Sequence, residues 1–455
     1  MVISTLAVFS LPCFGGDLDG DGIDDAVDPE TLIESLVTVT VPTTVVNLRI
    51  ASGGVLTADA PLTVMEGATI EAGGSLTHSV RFLDGLSIEV TGTFEIQPGG
   101  FVNVDGKGLR GGGNGSLFDP AGETYDATDE IVAGAGGSTG ASYGGYGATP
   151  AGLPTNSVYG VLEDPRHLGS GGGTGAGGGG NGGGLIQITA TNLFLDGTLR
   201  ANGAAMGAGA GSGGGIRLEV SALSGSGAIE ARGGDDHPSA GGGGRVAIYY
   251  DSTTFPDTNI EVRGGGPTFI AGAGTIYLKD NAAASGDLVI DNAGLPTSGF
   301  STRLRGVGPG ISTSLEPWVL TDLAAAFLVP DPITGAIGLV GLQLNPDEVQ
   351  PQTFTIIDNT VDTITIDPGD GDLTTVSTTG DAYIGVYFLD NLFIRNGARV
   401  STPDNIIGNI DVDGTSVLEA GVGTPIPLQD WGGLLGTPGD SRGQRVTSQP
   451  VMCRN

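Results

Sequence analysis

The chain has 455 residues, 85 of them glycine, and carries 51 acidic against 18 basic residues for a formal net charge of −33. That charge repels phosphates, which excludes nucleic acid as a partner and disfavours an anionic membrane surface. Glycine lacks the every-third-residue period of collagen, and charged residues make up only 15% of the chain, so neither a triple helix nor a disordered polyelectrolyte fits.

Residues 2–12 (VISTLAVFSLP) form an apolar run of signal-core length, and residues 1–16 are read as a signal-like segment. The basic region that precedes such a core is missing, so Met1 can be an internal or misassigned start. Export is expected, which places the protein outside the cell or on its surface. Cys13 follows Ser-Leu-Pro, a poor lipoprotein signal, and lipidation is not expected. Cys13 and Cys453, at opposite ends, cannot build a disulfide framework or a zinc cluster. No stretch reaches the ~20 apolar residues of a membrane helix, so no membrane span is expected.

An acidic loop follows, within residues 17–30. Asp17, Asp19, Asp21, Asp25 and Asp28 fall at positions 1, 3, 5, 9 and 12 of a twelve-residue loop, with Gly22 at position 6. This spacing wraps oxygen ligands around Ca²⁺, with Ile23 offering its backbone carbonyl at position 7 while its side chain points into the protein. The loop ends in Asp28 where an EF-hand has glutamate. It resembles thrombospondin type 3 and dockerin-like loops, a resemblance confined to these dozen residues that implies a structural calcium ion. The alternative is a solvated acidic linker.

Residues 40–108 carry a turn-then-strand pattern at Ser52–Leu56, Ala72–Leu76 and Pro98–Val102, read as short coils with glycine supplying positive φ at the corners. Over residues 185–292 the pattern becomes regular. Leu199-Arg-Ala-Asn-Gly203, Ile229-Glu-Ala-Arg-Gly233 and Ile260-Glu-Val-Arg-Gly264 recur about every 30 residues, with an earlier copy at Val102-Asn-Val-Asp-Gly106. A second family, Ile186–Ile188, Leu218–Val220, Val246–Ile248 and Ile276–Leu278, keeps about the same period. Side chains alternate faces along a strand, so each copy offers one apolar and one polar ladder to its neighbours. The fold expected is all-β: a parallel β-helix-like solenoid of about 30-residue coils, with Arg232 and Arg263 as vertical neighbours offset by Glu230 and Glu261.

Each strand of the second family is preceded by a glycine tract, and residues 109–184 form a longer glycine-rich insertion. Two readings stay open: flexible loops, or extended polyproline-II-like segments stacked on one side of the coils. Tyr143-Gly-Gly-Tyr-Gly147, Tyr159-Gly160, Gly169–Gly173, Gly184–Ile188, Gly244–Tyr250 and Gly274–Leu278 together resemble glycine-rich repeat proteins of bacterial surfaces. That resemblance covers roughly residues 100–290. It implies surface exposure and a structural or adhesive role, with surface carbohydrate or another surface protein as partner; it implies no catalytic residues.

Residues 293–390 break the period and are read as a small inserted β-domain, in which Asp367–Asp372 is a turn. Residues 391–422 return to a last coil, and 423–455 form an irregular tail; the chain can be a fragment of something longer. No long amphipathic helix is expected, Ser4–Leu11 and Asp322–Leu328 being short candidates. His78, His167 and His237 are too few and too scattered for a metal or acid–base site. Arg232, Asp235, Asp236 and His237 are the nearest approach to a catalytic constellation, but the equivalents of Asp235 in adjacent coils are Ala205 and Gly266. A non-enzymatic module is therefore expected. The alternatives are a polysaccharide lyase or hydrolase of β-helix type and a carbohydrate- or ice-binding module; an ice binder would want threonine rows where Arg, Glu and Asn stand. Oligomeric state is not legible.

Overall fold

The computed structural model describes residues 17–420, apart from 151, 152, 154, 176, 236–238, 298 and 332–335. The signal-like segment, both cysteines, Asp236, His237 and the tail lie outside the described residues. Among the described residues the molecule is all-β, with one mixed seventeen-stranded sheet, a seven-stranded parallel sheet and three smaller sheets. Helix is confined to single 3₁₀ turns, and Asp322–Leu328 is irregular chain around a turn.

The recurring pentapeptides lie side by side. Val102, Leu199, Ile229 and Ile260 occupy one register row of the seven-stranded sheet, continuing through Leu76 to Leu56 and Val37. Gly53, Gly73 and Gly99 hold φ near +85° at the corners before these strands, as the short-coil pattern requires. In the large sheet Ile188, Leu218, Ile248 and Leu278 form a second row at a spacing of thirty residues. The sequence alignment had set Leu218 against Ile186, whereas Ile186 pairs with Ile216. A slip of two residues preserves which face each side chain takes, so the apolar pattern alone does not detect it.

Between the two rows lies the main core, in which Leu199, Ile229, Leu218 and Ile248 are all at most 1% exposed. Burying each such side chain contributes about 1.5–3 kcal/mol, which a single coil could not collect without neighbours. On the opposite side, Arg232 joins Glu230 and Glu261, and Arg263 joins Glu261 and Asp235, as an ion-paired ladder.

Among the described residues the glycine tracts carry a regular set of backbone hydrogen bonds. Their backbones bond to one another across coils: Gly183 N–H to Ser212 O at 2.9 Å, Gly213 to Gly242 at 2.9 Å, and Gly243 to Gly272 at 3.0 Å. In the other direction Ser212 donates to Ser170, Gly242 to Ala141 and Gly272 to Tyr146. The part of the insertion around Ala141 and Tyr146 therefore lies over the tracts as a further layer. A Cβ at Gly183, Gly213 or Gly243 would fall onto the carbonyl oxygen of Ala201, Ala231 or Val262 respectively. Side-chain-free positions are what let these layers close.

Beyond Thr275–Asp280 the chain reverses. Asp287–Asp291 runs antiparallel to that strand and parallel to Ala382–Arg395, which in turn pairs in parallel with Asn405–Val412. The coil expected over 391–422 thus runs opposite to the earlier ones, and it begins inside a 14-residue strand rather than at residue 391. Residues between 310 and 366 pair in antiparallel fashion around a second core that includes Leu320, Phe354, Ile364 and Tyr383. Asp367 and Asp372 each accept from a backbone N–H two residues on, which makes that acidic run a pair of turns.

Candidate functional site

The acidic loop abuts the first coil. Leu18 packs against the main core, and Asp19 Oδ2 accepts the backbone N–H of Leu32 at 2.9 Å in the first strand, Thr31–Ile33. Gly20 and Gly22 take φ of +79° and +92°, which lets the chain turn back on itself. Asp17 accepts from both glycines, at 2.6 and 2.9 Å. One carboxylate oxygen from each of Asp17, Asp19 and Asp21 lies within 4.8 Å of the others.

The remaining expected ligands are placed differently. Asp25 is fully buried and turned toward Leu18 N and Thr31 Oγ1, and burial raises its pKa, with Asp19 and Asp17 adding to the rise. Asp28 is 4% exposed; its Oδ1 accepts from Glu30 N, while its Oδ2 is buried without a hydrogen-bond partner. Ile23 is 44% exposed, so its side chain points outward, against expectation, because Asp21 Oδ1 captures the Ile23 N–H in a tight turn. Leu18 supplies the apolar anchor instead. Of the expected ligands, the structure brings together Asp17, Asp19 and Asp21, and it leaves Asp25 and Asp28 outside that cluster.

Sequence reasoning missed a second feature. A cavity of about 90 Å³ lies where the 109–168 insertion, the 30-residue coils and residues 303–339 meet. Its polar lining includes Asp129, His167, Arg245, Arg303 and Arg305. Arg245 is 3% exposed; its guanidinium gives two bonds to Tyr159 O, at 3.1 and 2.9 Å, and one to Thr275 Oγ1 at 3.2 Å. It also sits 5.5 Å from the centre of the Tyr143 ring. Tyr143, Tyr159 and Tyr125 follow one another in tilted ring contacts, and His167 meets Tyr125 edge-on. His167 Nε2 lies 3.1 Å from Asp129 Oδ2, which Arg166 also approaches. A signal for this cluster was present: the register partners of Arg245 are Leu185, Gly215 and Thr275, so one buried row carries a single charge.

The constellation weighed as catalytic is placed in part. Asp235 accepts both guanidinium nitrogens of Arg263 and the N–H of Gly266, and the Arg263 bond holds its carboxyl below the usual range. Arg232 points to Glu230 and Glu261. His78 is buried; its Nδ1 bonds Ser79 O, and its Nε2 accepts from Leu185 N. No helix among the described residues is long and apolar enough to cross a membrane. No family model matches the chain, and no match is found among curated proteins or solved structures.

Proposed function

We propose that this chain is a β-solenoid module with a structural or adhesive role outside the cell or on its surface, stiffened at its N-terminal end by Ca²⁺. The observation that carries the reading is the thirty-residue register shared by both strand rows, closed on a third side by the glycine layer. Such a stack repeats one surface many times, which suits a scaffold or a multipoint contact with surface carbohydrate or a surface protein. The charges on the outer ladder support a non-enzymatic reading. Glu230, Glu261 and Asp235 are held by Arg232 and Arg263 and are not left to act as acid and base.

In this reading the calcium loop works as an end cap. Asp19 occupies a backbone donor of the first strand, and Leu18 covers the adjoining core. A bound Ca²⁺ would offset the repulsion among Asp17, Asp19 and Asp21 and fix that cap in place. The test of the module reading is turnover on a panel of neutral and acidic polysaccharides, followed by reducing ends and by unsaturated uronate absorbance. No product is expected. Saturable product formation lost in Asp235→Asn would replace the reading with a carbohydrate-active enzyme.

A further inference from the structure

Most arginines here are neutralised, as a threefold acidic excess would dictate. Among the described residues Arg110, Arg245, Arg303 and Arg305 are the arginines that form no salt bridge. Three of these four, all but Arg110, line the one cavity described above. Arg245 spends its donors on Tyr159 O and Thr275 Oγ1, and Arg305 on the carbonyls of Gly338 and Val340. Among the described residues the Arg303 side chain makes no hydrogen bond, and it is only half-buried.

The carboxylates nearby do not fill that role. Asp129 is taken by Arg166 and His167, and Asp126 folds onto Thr128 and the N–H of Glu130. Asp404 accepts the N–H groups of Val307 and Gly308. Glu163 acts on Arg245 and Arg305 through space, beyond ion-pair distance. Around this cationic edge the walls are apolar, from Val158, Leu304, Val307, Phe327, Ile337 and Leu339.

We infer that the cavity is a binding site for a small organic carboxylate, whose anion pairs with Arg303 and whose apolar body lies against Phe327, Leu304 and Ile337. A water takes about 30 Å³ in the liquid, so the cavity's 90 Å³ suits about three waters or the inserted end of one small organic acid. A guanidinium fork matches a carboxylate bidentately, and the unpaired charges of Arg245 and Arg305 add a favourable field. This site is independent of the module reading and of the calcium loop.

The probe is benzoate, titrated calorimetrically into the full chain, with benzamide and inorganic phosphate as the uncharged and non-apolar comparisons. Saturable binding of benzoate, with benzamide and phosphate at least about tenfold weaker, is expected, since each lacks one half of the recognition. Arg303→Gln should weaken benzoate by about tenfold or more, the loss of one charge-assisted pair, while Arg110→Gln leaves it unchanged. Arg303→Lys keeps the charge without the fork and should fall between. Absence of saturable benzoate binding, benzamide binding equal to benzoate, or undiminished affinity in a folded Arg303→Gln protein would each overturn the inference. The comparison of the three probes on the unaltered chain decides the matter even where a variant fails to fold.

Discussion

His78 shows how one buried side chain can make this fold sensitive to acid. Burial strips water from the charged ring and depresses its pKa from 6.5 to about 4, against the bond to Ser79 O, which pulls the other way. The unfolded chain takes up the proton first, so the stability contributed by neutral His78 is full above pH 6.5 and drains away as pH falls toward 4. The loss amounts to about 3 kcal/mol at most. Asp404 works in the opposite sense. Burial raises its carboxyl to about 6, so its folded form keeps a proton that the unfolded form gives up, and stability falls as pH rises from 3.8 toward 6. Urea unfolding of the unaltered chain and of His78→Asn, compared between pH 7 and 4, isolates the histidine. The difference between the two proteins should shrink across that window, and a constant difference counts against the assignment.

The glycines divide by position in the same way. Gly183→Ala drives a methyl onto Ala201 O and should cost about 3 kcal/mol, near the upper range for overpacking. At Gly178 the nearest atom to an added Cβ is 3.9 Å away and φ is not positive, so Gly178→Ala should be neutral or slightly stabilising. Equal melting temperatures for the two variants would mean that the tracts do not pack as described. At this scale the sequence was only partly legible. The periodic apolar residues announced their burial, whereas Arg245 and His167 did not, because their partners lie outside any local motif: Tyr159 and Asp129 come from the glycine-rich insertion, far along the chain from Arg245 and well upstream of His167.

At the scale of single elements, strand identity was legible and strand partnership less so. Leu199, Ile229 and Ile260 stand where their shared pattern put them, since each begins the same pentapeptide and carries its own alignment. Leu218 did not, because Ile216 and Leu218 are both apolar and share a face. Of the acidic loop, the cluster of Asp17, Asp19 and Asp21 was legible from spacing, but the inward turn of Asp25 was not; it depends on Thr31, outside the motif. The proposed calcium cap gives a measurable outcome at this scale. Ca²⁺ at a hundredfold over its dissociation constant should stabilise the fold by about 2.7 kcal/mol relative to chelator. A double variant, Asp19→Asn with Asp21→Asn, should abolish that difference. Superimposable melts with and without chelator, and no heat of Ca²⁺ binding, would remove the cap from the account.

Across the whole molecule, the spacing of register partners changes while the apolar rows do not. Partners stand 20 residues apart at Leu48 and Ala68, 26 at Ala68 and Phe94, 100 at Ile88 and Ile188, and thirty from Ile188 onward. The difference is taken up by the glycine tracts and by the layer that covers them, which leaves both apolar rows intact. The reversal at Thr275–Asp280 was not legible, because antiparallel and parallel neighbours present the same alternation of side chains. The register itself is the claim on which everything else rests. Adjacent parallel strands run about 4.8 Å apart, within the reach of a disulfide. With Cys13 and Cys453 replaced by serine, Thr198→Cys combined with Ala228→Cys should form a cross-link under mild oxidation, since these positions are register partners. Thr198→Cys combined with Glu230→Cys, two residues along the same strand, should not. Equal cross-linking of both pairs, or of neither, would contradict the thirty-residue register.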